Sequence, residues 1–218
     1  MKFLLIGANG KMGREIQSVL NEQKSDSYVG FDKNDIKFEE ILQKNSKFDA
    51  IIDFSTAKSR TEYFSFSKQN LIPYACFSTN LSFEDTENLK SLSKFVPVLY
   101  CKNASTGMNI FFKITEEICK NLPECDIVLT EYHHKEKLDT PSGTAKQIEN
   151  ILTLNNKKFT THSNRVGNER GFHKLEFFLE DEVITISHQA NSRKIFALGA
   201  IELTRNLCSL PPKFYINL

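Results

Sequence analysis

The sequence predicts an α/β protein in which a doubly wound parallel sheet is joined to a second, α+β domain. Three observations lead there. Short apolar runs alternate with helix-length segments over about the first hundred residues, the first run ends in a glycine-rich turn that opens a helix, and after Asn103 the pattern changes character.

The elements read in order. "KFLLIG" is an apolar run stopped by glycine, and "MGREIQSVLNEQ" carries apolar residues at helical spacing. "SYVGFD" is a second strand. "FDAIIDFS" and "LIPYACFS" are continuous apolar runs of strand length on either side of the polar, helix-length "TAKSRTEYFSFSKQN", as expected for parallel strands buried on both faces. "KFVPVLYCKN" adds a fifth strand. Then "TGMNIFFKITEEICKNL" has the pattern of a long amphipathic helix, "CDIVLTEYHH" is strand-like, "HKLEFFLED" and "EVITISHQA" alternate like an antiparallel hairpin, and "FALGAIELTRNLCSL" closes as a helix. No repeat, low-complexity tract or Pro-rich linker separates the parts, so a boundary near Asn103 to Gly107 is a hinge rather than a spacer.

Composition narrows the function. With 28 Lys and Arg against 27 Asp and Glu, the formal charge of +1 lacks the basic footprint of a nucleic-acid binder and points to small-molecule partners. Five cysteines, none in a Cys-x-x-Cys pair, read as buried thiols in a reducing compartment. Gly7 and Gly10 interrupt the N-terminal apolar run before a signal-peptide core is complete, and no apolar stretch reaches the roughly 20 residues of a membrane helix. A cytoplasmic protein with no membrane partner is expected.

"IGANGKMG" sets Gly7, Gly10 and Gly13 between the first strand and the first helix. Such glycines let backbone amides and a helix N-terminus approach a pyrophosphate, the arrangement of a Rossmann-type site. Asp32, nineteen residues after Gly13, is placed to accept hydrogen bonds from an adenosine ribose. The ordinary reading of the glycines alone is a tight turn; their position after the first strand favours a dinucleotide. Asp32 suits NADH, whereas the nearby cations Lys11, Arg14 and Lys33 suit the extra phosphate of NADPH, so the preference stays open.

A second concentration of chemistry is "EYHHKEKLDTPSGTA", residues 131–145. His133 and Lys137 are placed to converge on an anion, with His133 able to move a proton near neutral pH. Ser142, Gly143 and Thr144 open a helix behind Pro141 and offer a hydroxyl and amides to a carboxylate. Taken singly, these are a helix cap, solvated lysines and surface histidines; together they form an anion cradle facing an acid–base group. A metal site on His133 and His134, with His162, His173 or His188, is disfavoured: no carboxylate or cysteine stands at a customary ligand spacing, and Lys135 and Lys137 repel a cation. No metal is assigned. A Ser142 nucleophile is disfavoured too, because the chain has no G-x-S-x-G elbow there.

The stretch "EYHHKEKLDTPSGTA" closely resembles the Glu-x-His-His-x-x-Lys-x-Asp-x-Pro-Ser-Gly-Thr-Ala signature of the dihydrodipicolinate reductase family, also called the 4-hydroxy-tetrahydrodipicolinate reductases. "IGANGKMG", "IIDFS", "NASTGMN" and "SHQANSRKIFALGA" are similar to the family's nucleotide turn, third strand, hinge and final segment, in the same order. The resemblance implies reduction of a cyclic, doubly carboxylated imine precursor in lysine and diaminopimelate biosynthesis, with NADH or NADPH as hydride source. It implies His133 and Lys137 as catalytic residues and His134, Ser142, Gly143 and Thr144 as the substrate site. For the cofactor it implies Gly7, Asn9, Gly10, Lys11, Met12, Gly13, Asp32, Ser55, Ser78, Thr79 and Asn103. It further implies a homotetramer, with a dinucleotide domain of residues 1–104 plus 194–218 and a substrate and oligomerisation domain of residues 105–193.

The chain departs from the family pattern in "CFSTNLSF", where Phe77 and Asn80 replace the glycines of a usual Gly-Thr-Thr-Gly loop, and at Lys102, where a small residue is usual. A different loop path or cofactor placement is expected there. Two other functions compete: a related Rossmann reductase of another small carboxylated substrate, and a dinucleotide sensor without turnover. The sensor is disfavoured because His133, Lys137 and the Ser142–Thr144 cradle all remain.

Overall fold

The computed structural model describes residues 1–32, 38, 47–55, 60–79 and 81–216. Lys33 and Asn80, read above as cofactor-loop positions, lie outside the described residues, as do residues 56–59 at the start of the second helix pattern. The described chain divides into two compact units, Met1–Ser105 with Arg193–Leu218, and Thr106–Ser192.

In the first unit, strands β1 (Lys2–Ile6), β2 (Ser27–Phe31), β3 (Ala50–Asp53), β4 (Tyr74–Cys76), β5 (Val98–Tyr100) and β10 (Phe214–Ile216) form one sheet in the order β10-β5-β4-β3-β1-β2. Every pairing is parallel. The continuous apolar runs have a physical reason, since alternate residues of one strand enter different cores. Phe3, Leu5, Ile52, Ala75 and Leu99 pack with Ile16, Val19, Leu20, Ala197, Ala200 and Ile201, from helices α1 (Lys11–Gln23) and α6 (Lys194–Leu207). Leu4, Ile6, Ile51, Tyr74 and Val98 pack on the other face with Tyr63, Phe64, Leu89 and Leu92, from α2 (Arg60–Asn70) and α3 (Phe83–Leu92). A strand buried on both faces cannot alternate apolar with polar, hence the unbroken runs. The sheet order changes direction at β1, and the loops after β1, β3, β4 and β5 all leave its carboxyl edge, the customary place for a ligand in such a sheet.

The sequence reading omitted α3. Its start is set by a capping box in which the Ser82 hydroxyl accepts the Asp85 amide and Asp85 accepts the Ser82 amide. Strand β10 was also omitted, being only three residues long.

In the second unit, α4 (Thr106–Asn121) and α5 (Gly143–Leu154) pack on one face of a four-stranded sheet ordered β7-β6-β8-β9. Its strands are β6 (Asp126–His133), β7 (Thr160–Arg165), β8 (Phe172–Phe178) and β9 (Val183–Gln189). β6 runs parallel to β7 and antiparallel to β8, and β8 and β9 form the antiparallel hairpin read from their alternation. Among the described residues no helix is long and apolar enough to cross a membrane.

Candidate active site

The glycine turn follows β1 in the first unit. Gly7 has φ +81° and its amide donates to Phe31 O at 2.9 Å, so the turn is pinned to the end of β2 in a conformation that side chains rarely adopt. A Cβ on Gly13 would stand 2.2 Å from Gly7 O and 2.5 Å from Ala8 O, so no other residue fits while the turn keeps this path. At Gly10 the only close atom among the described residues is Gly7 O at 3.2 Å, and φ is an unstrained −70°. What a side chain at Gly10 would obstruct is therefore the space in front of the turn. Gly10 is the N-cap of α1 and supplies no side-chain cap, so the helix start, with Lys11, Met12 and Gly13, presents its amides and dipole for an anion.

The neighbouring loops are tied to this turn. The Asn9 amide donates to Asp32 Oδ2 at 3.3 Å, fixing the acid at the end of β2 beside the turn. The Ser55 amide donates to Asp53 Oδ1 at 2.7 Å, and the Ser78 hydroxyl donates to Ser55 O at 2.6 Å, joining the loops after β3 and β4. Phe77, which replaces a usual glycine, is buried and stacked on Phe54 with ring centroids 5.0 Å apart. Thr79 follows at the surface, and Asn103 Oδ1, after β5, accepts the Ser105 amide at 3.0 Å. The residues suit a dinucleotide: a glycine turn, an open helix start and an acid converge at one edge of a parallel sheet.

In the second unit the acid–base motif is assembled by strand register. Along β6 the inward side chains are Ile127, Leu129, Glu131 and His133, so the alternation that fills the core carries two titratable groups inside at the strand's end. His173 on β8 lies directly opposite Glu131, and Arg165 on β7 is paired with His133. Glu131 is fully buried, His133 7% exposed and His173 4%. Glu131 Oε1 accepts the Ser142 amide at 3.0 Å and Arg165 Nη2 at 3.2 Å. Its Oε2 stands 2.8 Å from His133 Nδ1, an ion-pair approach without the alignment of a hydrogen bond, and 3.8 Å from His173 Nε2.

The loop that follows is a carboxylate grip. Lys137 Nζ donates to Asp139 Oδ1 at 2.7 Å, and the Gly143 amide donates to Asp139 Oδ2 at 3.2 Å. A carboxylate already spans these two donors, so the lysine and the first amide of α5 converge on one anion-sized position. The Ser142 hydroxyl accepts the Ala145 amide at 3.2 Å and lies 3.3 Å from His173 Nε2, so it caps the helix from a buried position. Thr144 follows in the first turn of α5, and the His134 carbonyl accepts the Lys137 amide at 3.1 Å. Arg165 secures the loop from beneath, donating to Lys137 O, Asp139 O and Thr140 Oγ1.

Burial would raise the Glu131 carboxyl, but contacts with His133, Ser142 and Ser163 overcome it and hold the group well below the usual carboxylate range. Burial, reinforced by the neighbouring His133, lowers His173 to about 3, leaving it a neutral imidazole. For Asp139, burial opposes and Lys137 outweighs it, so its carboxyl also lies below the ordinary value.

The second unit thus gathers His133, Lys137, Ser142 and Gly143 around one helix start. Two participants escaped the sequence reading as site residues, Glu131 and Arg165, and a third, His173, was weighed only as a ligand of a disfavoured metal site. Glu131 stood inside the quoted motif. His173 and Arg165 are 42 and 34 residues from it along the chain, and only strand register joins them. The same register brings ligand atoms of Glu131, His133 and His173 within 4.8 Å of one another, a group able to hold a cation that spacing along the chain did not reveal. That carboxylate already faces the Arg165 guanidinium and His133.

Comparison with known proteins identifies the family. Residues 1–104 match the family model "Dihydrodipicolinate reductase, N-terminus" and residues 107–217 match "Dihydrodipicolinate reductase, C-terminus". A 4-hydroxy-tetrahydrodipicolinate reductase of Thermosipho africanus is 34% identical over 99% of this chain and 95% of its own. One from Wigglesworthia glossinidia brevipalpis is also 34% identical, over 90% of this chain and 83% of its own. The fold is shared with the dipicolinate-bound dihydrodipicolinate reductase from Paenisporosarcina sp. TG-14, at TM-score 0.81 and 18% identity, covering 100% of this chain and 98% of that one. Matched in both halves and along nearly its whole length, the chain belongs to the dihydrodipicolinate reductase family.

Proposed function

We propose that the chain catalyses the NADH- or NADPH-dependent reduction of 4-hydroxy-tetrahydrodipicolinate to tetrahydrodipicolinate, a step of lysine and diaminopimelate biosynthesis. The observation that carries this reading is the grip on Asp139: Lys137 Nζ and the Gly143 amide already hold one carboxylate between them, 2.7 and 3.2 Å from its two oxygens. A dicarboxylate substrate presents the same group, and can take that place by displacing Asp139.

A bound nicotinamide dinucleotide supplies the hydride. Gly7, Gly10 and Gly13 with the start of α1 hold its pyrophosphate, Asp32 takes the adenosine ribose, and Asn9, Lys11, Met12, Ser55, Ser78, Thr79 and Asn103 line the rest of its path. His133 donates the balancing proton, and the substrate hydroxyl leaves as water. Its Nδ1 is buried against Glu131, so the proton leaves from Nε2. Lys137, His134, Ser142, Gly143 and Thr144 hold the carboxylates and fix the ring, and positioning of this kind accounts for a large share of a barrier. A homotetramer fits the outer face of the four-stranded sheet, where Tyr132, Phe178 and Val183 are 37, 40 and 50% exposed.

The test is an absorbance assay of the purified chain with freshly generated substrate and each nicotinamide cofactor. Substrate-dependent loss of NADH or NADPH absorbance is expected. Dinucleotide binding without turnover would instead make the chain a sensor.

A further inference from the structure

We propose that Glu131 is the positioning residue for the proton donor: its buried carboxylate orients the His133 ring and ties it to the first turn of α5. This rests on the reduction proposed above and assigns that site a member outside its substrate and cofactor contacts.

Three observations carry it. Glu131 is a fully buried acid whose two oxygens do different work: Oε2 lies 2.8 Å from His133 Nδ1, while Oε1 accepts the Ser142 amide and Arg165 Nη2. One carboxylate therefore links the proton donor, the helix start of the anion grip, and the arginine that secures the Lys137–Thr140 loop. Second, both residues project from the inward face of β6 at adjacent inward positions, so the distance is set by the strand and not by a flexible loop. Third, the backbone beside the other ring nitrogen is that of a glycine. Gly171 has φ +145°, and a Cβ there would stand 3.2 Å from His133 Nε2, so the bare backbone lets the loop pass beside Nε2 without a side chain crowding it.

The chemistry follows from the two nitrogens. An anion at Nδ1 favours a proton on that nitrogen rather than on Nε2, so the ring that has surrendered its Nε2 proton is left as the Nδ1–H tautomer. In Glu131→Gln the amide oxygen faces Ser142 N and Arg165, as those donors require, and the NH2 turns to Nδ1. That nitrogen must then accept, and the neutral ring carries its proton on Nε2.

The experiment compares wild type with Glu131→Gln in steady-state kinetics across pH, in dipicolinate binding by calorimetry, and in ring-15N NMR of His133. Expected results are a kcat lower by about ten- to a hundredfold, and dipicolinate and dinucleotide affinities within about threefold, since the variant removes no group that holds either ligand. NMR should show the neutral ring changing from Nδ1–H to Nε2–H. Unchanged kcat would overturn the proposal. So would parallel losses of kcat and dipicolinate affinity with an unchanged ring tautomer, the signature of a structural role. Loss of wild-type turnover in a chelator, restored by Zn2+, would overturn it by making Glu131 a metal ligand. If wild type reduces nothing, the reduction itself fails, while the NMR change still reports on the Glu131–His133 link. Should Glu131→Gln not fold, Glu131→Asp carries the test, because drawing the charge back one methylene should lower kcat while sparing dipicolinate affinity.

Discussion

Lys137 and Asp139 are two residues apart and share a contact that defines the anion position, since the lysine and the Gly143 amide grip the two oxygens of one carboxylate. Removing the lysine takes a charge-assisted hydrogen bond from the site. Such bonds are worth about 1.5–3 kcal/mol, so Lys137→Ala should raise KM by about ten- to a hundredfold and also lower kcat, with dinucleotide affinity unchanged; steady-state kinetics read both. His173 makes a different prediction. Burial holds it near 3 in the folded chain against an ordinary 6.5, so the unfolded chain takes up a proton in that window and the folded chain does not. Its contribution to stability is complete above about pH 6.5 and declines as pH falls toward 3. Thermal unfolding of wild type should therefore come at lower temperature at pH 5 than at pH 7, and His173→Asn should show a smaller difference. This scale was partly legible. The motif exposed His133, Lys137 and the helix start, because their chemistry is concentrated within fifteen residues. Arg165 was not, because nothing local in "THSNRVG" says that its guanidinium reaches three oxygens of the 137–140 loop.

Elements follow the same division. β1, β3, β4 and β5 were readable because burial on both faces makes a strand uniformly apolar, and β8 and β9 because burial on one face makes it alternate. β7, "TTHSNR", has neither pattern; it is a polar edge strand held by parallel pairing to β6, and its place is decided by tertiary contacts. The glycine turn was legible as a motif, but the structure assigns its glycines unequal duties. Gly13 has no room for a Cβ, whereas Gly10 has room among the described residues and caps α1, where the pyrophosphate is proposed to lie. Gly13→Ala should lower the unfolding temperature and abolish dinucleotide binding together, while Gly10→Ala should fold like wild type and lose affinity for NADH and NADPH. Calorimetry paired with thermal unfolding separates the two, and wild-type affinity in Gly10→Ala would contradict the pyrophosphate assignment.

At the scale of the whole molecule, the first unit carries the residues proposed to hold the dinucleotide and the second the Lys137–Gly143 carboxylate grip and the proposed proton donor His133, and the chain returns to the first unit through α6 and β10. The outer face of the second unit's sheet, with Tyr132, Phe178 and Val183 exposed, should be covered by copies of itself. Light scattering is expected to give four chains per particle, and Val183→Lys to give smaller particles. The central claim is that this chain reduces a cyclic dicarboxylate with a proton supplied by His133. It is tested most directly by following nicotinamide absorbance with freshly generated 4-hydroxy-tetrahydrodipicolinate for wild type beside His133→Gln. Wild type should turn over, and the variant should be slower by about 10² to 10⁴ in kcat at similar KM. A wild type that leaves the cofactor unoxidised, or a His133→Gln that matches it, would contradict the account.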